Sequence, residues 1–270
     1  MADKEKTESG LVEWIKTIAY ALILAGLIRT LFYQPFWIPS GSMKDTLLIG
    51  DFLFVNKMAY GYSAASCPTI AGVNLCGIVE GRKGRLFGRE PERGDVVVFK
   101  HPVSRADFIK RLIGLPGDRI QVRKGQLFIN DEPVRQLPAG VFEEVKERQG
   151  PVGNIPRCEN EPVAMGDTCL KSRYRETLPN GVEHDILNIG DGGFADNTKV
   201  FTVPEGMYFF MGDNRDNSQD SRFSRQIGGV GFVPYENLVG RADRVIFSSA
   251  GRSILSFWAW RPDRYFKAIE

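Results

Sequence analysis

The sequence predicts a mainly β fold: an antiparallel β core with an inserted cap, preceded by a single transmembrane helix. Three observations carry that expectation. Short apolar and β-branched runs recur between Gly, Pro, Asn and Asp turns after Trp37. Helical periodicity is weak except near the N-terminus and over residues 139–149. One apolar run near the N-terminus is long enough to cross a bilayer. Composition agrees. The 270 residues allow one large domain or two modest ones, and 43% hydrophobic with 25% charged residues excludes long-range disorder. Lys+Arg (35) against Asp+Glu (33) leaves a net charge of only +2, which argues against a nucleic-acid partner. The 29 Gly and 15 Pro argue against a long helical bundle.

The first element is the apolar run 15–36. As a helix it would be about 33 Å long, matching a bilayer core of about 30 Å. Lys16 lies where a lysine can snorkel, Arg29 sits deeper, and Trp14 and Trp37 bracket the run where an aromatic belt belongs. No A-x-A exit follows it, so an uncleaved anchor is favoured over a signal peptide. A buried core helix is the competing reading. The flanking charges do not decide orientation.

Strands are expected over 47–56, 95–100, 107–113, 200–203, 206–211 and 244–248. Residues 119–123 and 126–130 flank Lys124-Gly125 as a hairpin. The Gly- and Arg-rich stretch 61–94 reads as a solvated hairpin or loop extension, with contact to acidic lipid headgroups as the sharper alternative. Residues 136–199 read as a loop-rich inserted cap.

Cys67, Cys76, Cys158 and Cys169 contain no C-x-x-C. They fall into two local pairs, and two short-loop disulfides are the natural choice among three pairings. Such bonds fit an oxidising compartment. Four buried thiols are the alternative.

The chemistry is narrowed by scarcity. His101 and His184 are the only histidines, and no G-x-S-x-G is present for either to serve. Both read as structural or exposed, His184 in a polar turn region. A serine can instead be activated by a neutral lysine, which requires burial to lower the lysine's pKa. Lys110 is the candidate: strand alternation places Phe108 and Leu112 on its own face. A lysine guarding a sheet edge is the bland alternative, and on spacing alone it would win. Ser40 and Ser42, in Ile38-Pro39-Ser40-Gly41-Ser42-Met43, could supply an oxyanion donor and a nucleophile, although by itself this is only a turn. The polar run 211–222 follows an apolar strand and lacks the EF-hand calcium spacing, so it reads as a hydrogen-bonded positioning loop.

Together and in order, these segments resemble the bacterial type I signal peptidases (leader peptidases). The matching pieces are PSGSM at 39–43 with Thr46-Leu47, GDFLFVNK at 50–57, RGDVVVFK at 93–100, KRLIGLPGD at 110–118 and GDNRDNSQDSR at 212–222. GFVP at 231–234, NLVGRA at 237–242 and the weaker RETLPNG at 175–181 extend the match. The resemblance implies Ser42 as nucleophile and Lys110 as general base. It implies the Ser42 N–H and Ser40 hydroxyl as the oxyanion hole, Ser218 as the group orienting the lysine, and an Asp220–Arg222 ion pair supporting that loop. Small pockets for the −1 and −3 residues would be lined or bordered by Phe36, Ile38, Pro39, Met43, Leu47, Leu53, Val98, Asp107, Phe108 and Ile109. One departure stands out: Lys44-Asp45 occupies the place where the family usually has x-Pro.

The implied protein is a serine endopeptidase that cleaves signal peptides from exported preproteins, with no metal, nucleotide or other cofactor. Its expected partners are signal peptides, membrane lipids and the secretion machinery, with no nucleic acid. The resemblance places it as a single-pass protein of the bacterial inner (plasma) membrane, its catalytic domain on the periplasmic side. The expected division is an N-terminal tail (1–14), an anchor (15–36), the catalytic core in two parts (37–118 and 200–250), the inserted cap (119–199) and an aromatic-basic tail (251–270). Trp258, Trp260 and neighbouring basic residues in that tail suggest a membrane-interface contact, with packing on the β domain equally weighted. A specialised or self-cleaving Ser–Lys peptidase is one alternative function. A non-enzymatic membrane-anchored binding module is another.

Overall fold

The computed structural model describes residues 2–67, 69–70, 73–74, 85–251 and 256–269. Cys76, Arg82 and Lys83 of the 61–94 stretch, and residues 252–255 lie outside them. One long helix, α1 (Ala2–Leu31), opens the chain. The strands follow as β1 (Tyr33–Trp37), β2 (Asp51–Asn56), β3 (Thr69–Ile70), β4 (Val73–Asn74), β5 (Val96–Lys100), β6 (Asp107–Gly114), β7 (Arg119–Arg123) and β8 (Gln126–Ile129). Then come β9 (Glu132–Pro133), β10 (Arg135–Val145), β11 (Thr168–Thr177), β12 (Glu183–Asn188), β13 (Phe201–Thr202), β14 (Met207–Met211), β15 (Val233–Pro234) and β16 (Leu238–Ser248).

The helix starts at Ala2, so the expected tail before residue 15 is helical too, and it ends earlier than the apolar run suggests. Pro35 has no N–H to donate and disfavours helical backbone before it, so Tyr33–Trp37 pairs as a strand with β2 instead. The window Gly10–Arg29 is apolar enough to span a membrane, and none of it is buried against the rest of the chain. A core helix would be covered, so that competing reading is not what the fold contains.

The main sheet has the order β1-β2-β16-β5-β6-β14-β15. Its neighbouring strands are antiparallel. Both faces are covered, which explains why β5 reads as an unbroken apolar run. Val96 and Val98 point into one cluster with Leu53, Val55, Val239 and Val245. Val97 and Phe99 point into another with Leu112, Tyr208 and Phe210. Register shifts along β16 at residues 242–247 bend the sheet so that it curls. The predicted hairpin forms as β7–β8 and joins the sheet β13-β7-β8-β9, which packs over Ile113, Phe209 and Met211.

Three local expectations need correction. Residues 139–149 are not helical: β10 pairs along its length with β11, with a bulge between Pro138 and Val141. Cross-strand pairing has overridden a weak helical pattern. For the same reason 136–199 is less loop-rich than expected, because β10, β11 and β12 form a three-stranded sheet. His184 lies on β12 rather than in a turn.

The Cys158–Cys169 disulfide is present, and Cys67 is disulfide-bonded too. The described part of the tail packs back on the sheet. Arg264 makes a buried two-point ion pair with Asp51, at 3.0 and 2.5 Å, and donates to the Thr46 carbonyl at 2.9 Å. Phe257, Trp258 and Phe266 nevertheless remain exposed. Gly50 makes this junction fit: its φ is +94°, and a Cβ there would fall 1.9 Å from the Ser249 carbonyl oxygen.

Candidate active site

β6 runs between β5 and β14 in the sheet interior, so Lys110 is not a guard at an edge. Its ammonium is buried beside the Phe108 ring, 5.6 Å from the centroid. Burial pulls its pKa down to about 8, with Asp220 and Asp213 opposing. Nζ lies 2.6 Å from Ser42 Oγ and donates to the Ile109 carbonyl at 2.9 Å. Sixty-eight residues of chain separate the two side chains, and the sheet brings them together. Ser40 Oγ is 3.5 Å from Ser42 Oγ and belongs to an exposed residue at the mouth of the site.

The loop bearing Ser42 is held from below by the segment after β14. The Asn214 N–H donates to the Ser42 carbonyl at 3.1 Å, and Asn214 Nδ2 to the Gly41 carbonyl at 2.9 Å. Thr46 Oγ1 donates to Asp213 Oδ2 at 2.5 Å. Asp220 and Arg222 form a buried two-point ion pair, both contacts 2.9 Å, and Asp220 also accepts from the Gly212 N–H at 3.1 Å. Burial pushes the Asp220 carboxyl up, but Arg222 and these hydrogen bonds hold it below the usual carboxylate range. Ser218 Oγ is buried in the same place without a hydrogen-bond partner among the described residues, so the expected bond to Lys110 is not formed in this state.

The residues expected to line the substrate pockets are mostly gathered. Ile38, Met43, Leu47, Leu53 and Val98 share one buried cluster, against which the partly buried Phe36 and Ile109 pack. Phe108 packs against the cluster on the other side of the sheet. Pro39 is exposed, and Asp107 is an exposed residue paired with Lys100 at 2.9 Å.

Several residues that sequence reasoning passed over complete the site. Arg111, next to Lys110, is fully buried and clamps Asp213 at 2.9 and 2.8 Å. Arg215 clamps Glu176 of β11 at 2.9 and 2.5 Å, and His184 Nε2 lies 3.3 Å from the same carboxylate. Burial pushes the Glu176 carboxyl up, but Arg215 and His184 outweigh it and hold the pKa at about 2. Burial lowers the pKa of His184, which favours its neutral form. A signal existed for Arg111: it is a second charge beside Lys110 in the largely apolar run Phe108–Ile113, where a buried arginine calls for a counter-charge. Glu176 and His184 carried no such signal, because their partner sits on a distant loop. His101 is a turn residue, its Nδ1 accepting from the N–H groups of Val103 and Ser104 at 3.2 and 3.1 Å.

Residues 11–247 match the family model described as "Signal peptidase, peptidase S26". The chain belongs to that family. It is a serine endopeptidase of the signal peptidase I type. A signal peptidase I from Rickettsia typhi is 38% identical over 255 residues, covering 92% of this chain and 84% of the relative. Another from Rickettsia canadensis is 40% identical over 244 residues, covering 88% and 80%. A crystal structure of a signal peptidase I from Enterococcus faecalis is 25% identical, with 57% of this chain and 97% of that one covered and a TM-score of 0.30. In this S26 peptidase the Lys44-Asp45 pair that follows the candidate nucleophile is tied to the β10–β11 sheet: Lys44 bonds to Glu144, and Asp45 to Arg173.

Proposed function

We propose that this S26 peptidase removes signal peptides from exported preproteins with a Ser–Lys dyad, cleaving after small residues at −3 and −1. The observation that carries the reading is the 2.6 Å contact between Lys110 Nζ and Ser42 Oγ in a site that draws the lysine down to about 8. In its neutral form Nζ accepts the Ser42 proton while Oγ attacks the carbonyl carbon of the −1 residue. The protonated Nζ then donates to the departing amine, which leaves an acyl group on Ser42. A water that gives its proton to Lys110 hydrolyses that ester and frees the serine.

The Ser42 N–H and the Ser40 hydroxyl are the proposed donors to the oxyanion. Ser218, whose buried hydroxyl lies beside Asp220 and has no hydrogen-bond partner within bonding geometry among the described residues, is the group proposed to orient Lys110. The Asp220–Arg222 pair keeps the loop carrying Ser218 in place. The apolar cluster around Ile38, Val98, Phe36 and Ile109 is the proposed floor of the −1 and −3 pockets, where only small side chains fit without displacing core. No step calls on a metal or nucleotide.

α1 serves in this reading as a single-pass anchor in the bacterial inner membrane, with the sheet on the periplasmic side. The uncovered apolar helix and the disulfides support that arrangement. The proposed partners are signal peptides, the surrounding lipids and the secretion machinery. The sheet order supports dividing the chain into an anchor, a core in two parts (37–118 and 200–250) and a cap between them. Processing of an added preprotein by wild type, Ser42→Ala and Lys110→Ala tests the mechanism. Both variants should be inactive, and normal processing by either one rules the dyad out.

A further inference from the structure

We propose that Glu144, on β10 of the cap, is a positioning residue for Ser42 and acts through Lys44. This rests on the reading of Ser42 and Lys110 as the reacting pair. Lys44 follows the nucleophile by two residues and runs its aliphatic stem under Gly41, where a Cβ would come within 3.3 Å of Lys44 Cε. Its buried ammonium donates to Glu144 Oε2 at 2.5 Å and to Gln149 Oε1 at 2.8 Å. Gln149 Nε2 donates to the same Glu144 oxygen at 2.7 Å. Lys171 of β11, itself buried beneath the Phe142 ring, donates to the other oxygen of Glu144. One carboxylate therefore gathers three donors, two of them ammonium groups.

The clamp continues on both sides of Ser42. Arg173 of β11 donates to Asp45 at 2.9 Å, and Asn154 Nδ2 donates to the Pro39 carbonyl at 2.7 Å. The loop is thus fixed from the cap at positions 39, 44 and 45, while Asn214 and Asp213 fix it from the core at 41, 42 and 46. Burial lowers the pKa of Lys44 and raises that of Glu144, but the two lysines more than reverse the effect on the carboxyl. Removing Glu144 would leave two buried ammonium groups facing each other without a counter-charge. Lys44 would then move, and Gly41 and Ser42 would move with it. Misplacing a reacting atom by an ångström slows chemistry by about 100-fold, whereas binding of the substrate's remaining residues is little touched.

The test uses the full chain in detergent micelles with a peptide spanning a signal-peptide cleavage site. kcat, KM and the rate of acylation by a serine-reactive inhibitor are measured for wild type, Ser42→Ala, Glu144→Ala, Glu144→Gln and Lys44→Met. Glu144→Ala should lower kcat by roughly 10- to 100-fold with KM changed less than about threefold, and slow acylation by the same factor. Glu144→Gln keeps an acceptor oxygen for Lys44 and should recover part of the loss. Folded Glu144→Ala with a wild-type kcat, or a loss confined to KM, overturns the proposal. If Glu144→Ala does not fold, Lys44→Met decides, since it keeps the stem under Gly41 and leaves Glu144 paired with Lys171. A wild-type kcat there overturns the proposal, and a lowered kcat at unchanged KM supports it. An active Ser42→Ala would instead sink the underlying reading, whatever Glu144→Ala does.

Discussion

Gly212 lies against Ser42 so closely that a Cβ on it would sit 2.5 Å from the Ser42 carbonyl oxygen. The same Cβ would fall 2.3 Å from Ser218 Oγ. No real side chain tolerates such contacts, and one of the obstacles is backbone. Gly212→Ala must therefore push the Ser42 loop and the Ser218 loop apart. The expected result is a fall in kcat of about 100-fold with the fold retained, read by steady-state cleavage and circular dichroism. Wild-type cleavage by Gly212→Ala would show that the two loops are not held in this register.

The lysine pKa sets a pH profile. With Lys110 at about 8, the neutral form is the minority below that pH. The expected kcat/KM falls about tenfold for each unit below pH 8 and levels off above it. A profile flat from pH 5 to 8 would exclude a base with this pKa.

The same burial has a cost in stability. Lys110 is drawn from 10.5 to about 8 on folding. Below pH 8 the lysine is protonated in both folded and unfolded chains, and the folded state bears the full penalty of about 3 kcal/mol. Between pH 8 and 10.5 the unfolded chain binds the extra proton, so stability rises with pH. Lys110→Met should therefore melt higher than wild type at pH 6, with the gap closing toward pH 10, while losing all cleavage. A lower Tm for Lys110→Met at pH 6 would contradict this.

Arg264 ties the C-terminal tail to the core through Asp51, whose carboxylate is fully buried. Arg264→Ala leaves that carboxylate with only the Leu48 N–H, at 2.8 Å, among its other described hydrogen-bond donors. The expected loss is about 3–5 kcal/mol, read by thermal unfolding. Because Arg264 also donates to the Thr46 carbonyl, cleavage should fall at temperatures where the chain is still folded. An unchanged Tm would show the tail to be merely laid on the surface.

Much of this molecule was legible in its residues because the signals were local. Alternation and turn chemistry placed β5, β6, β14 and the β7–β8 hairpin, since strand faces and tight turns are decided within a few residues. Length and hydropathy placed the N-terminal helix but not its ends: it begins at Ala2, ahead of the apolar run, and stops at Leu31, before Pro35 hands the chain to a strand. The residue pattern around Ser42 and Lys110 resembled a known family, and the family match over residues 11–247 agrees. By contrast, the helical reading of 139–149 failed because β11 supplies a hydrogen-bonding partner that a local pattern cannot show.

The sequence by itself determined the fold class, the family and which serine and lysine to examine. The tertiary structure alone decided that Lys110 is an interior residue and that its ammonium meets Ser42 at 2.6 Å. It alone placed Glu144 and Lys171 around Lys44, and Arg215 and His184 against Glu176. The reason is physical: a buried charge is stabilised chiefly by a counter-charge, and that partner is chosen by how strands far apart in the chain come to lie side by side.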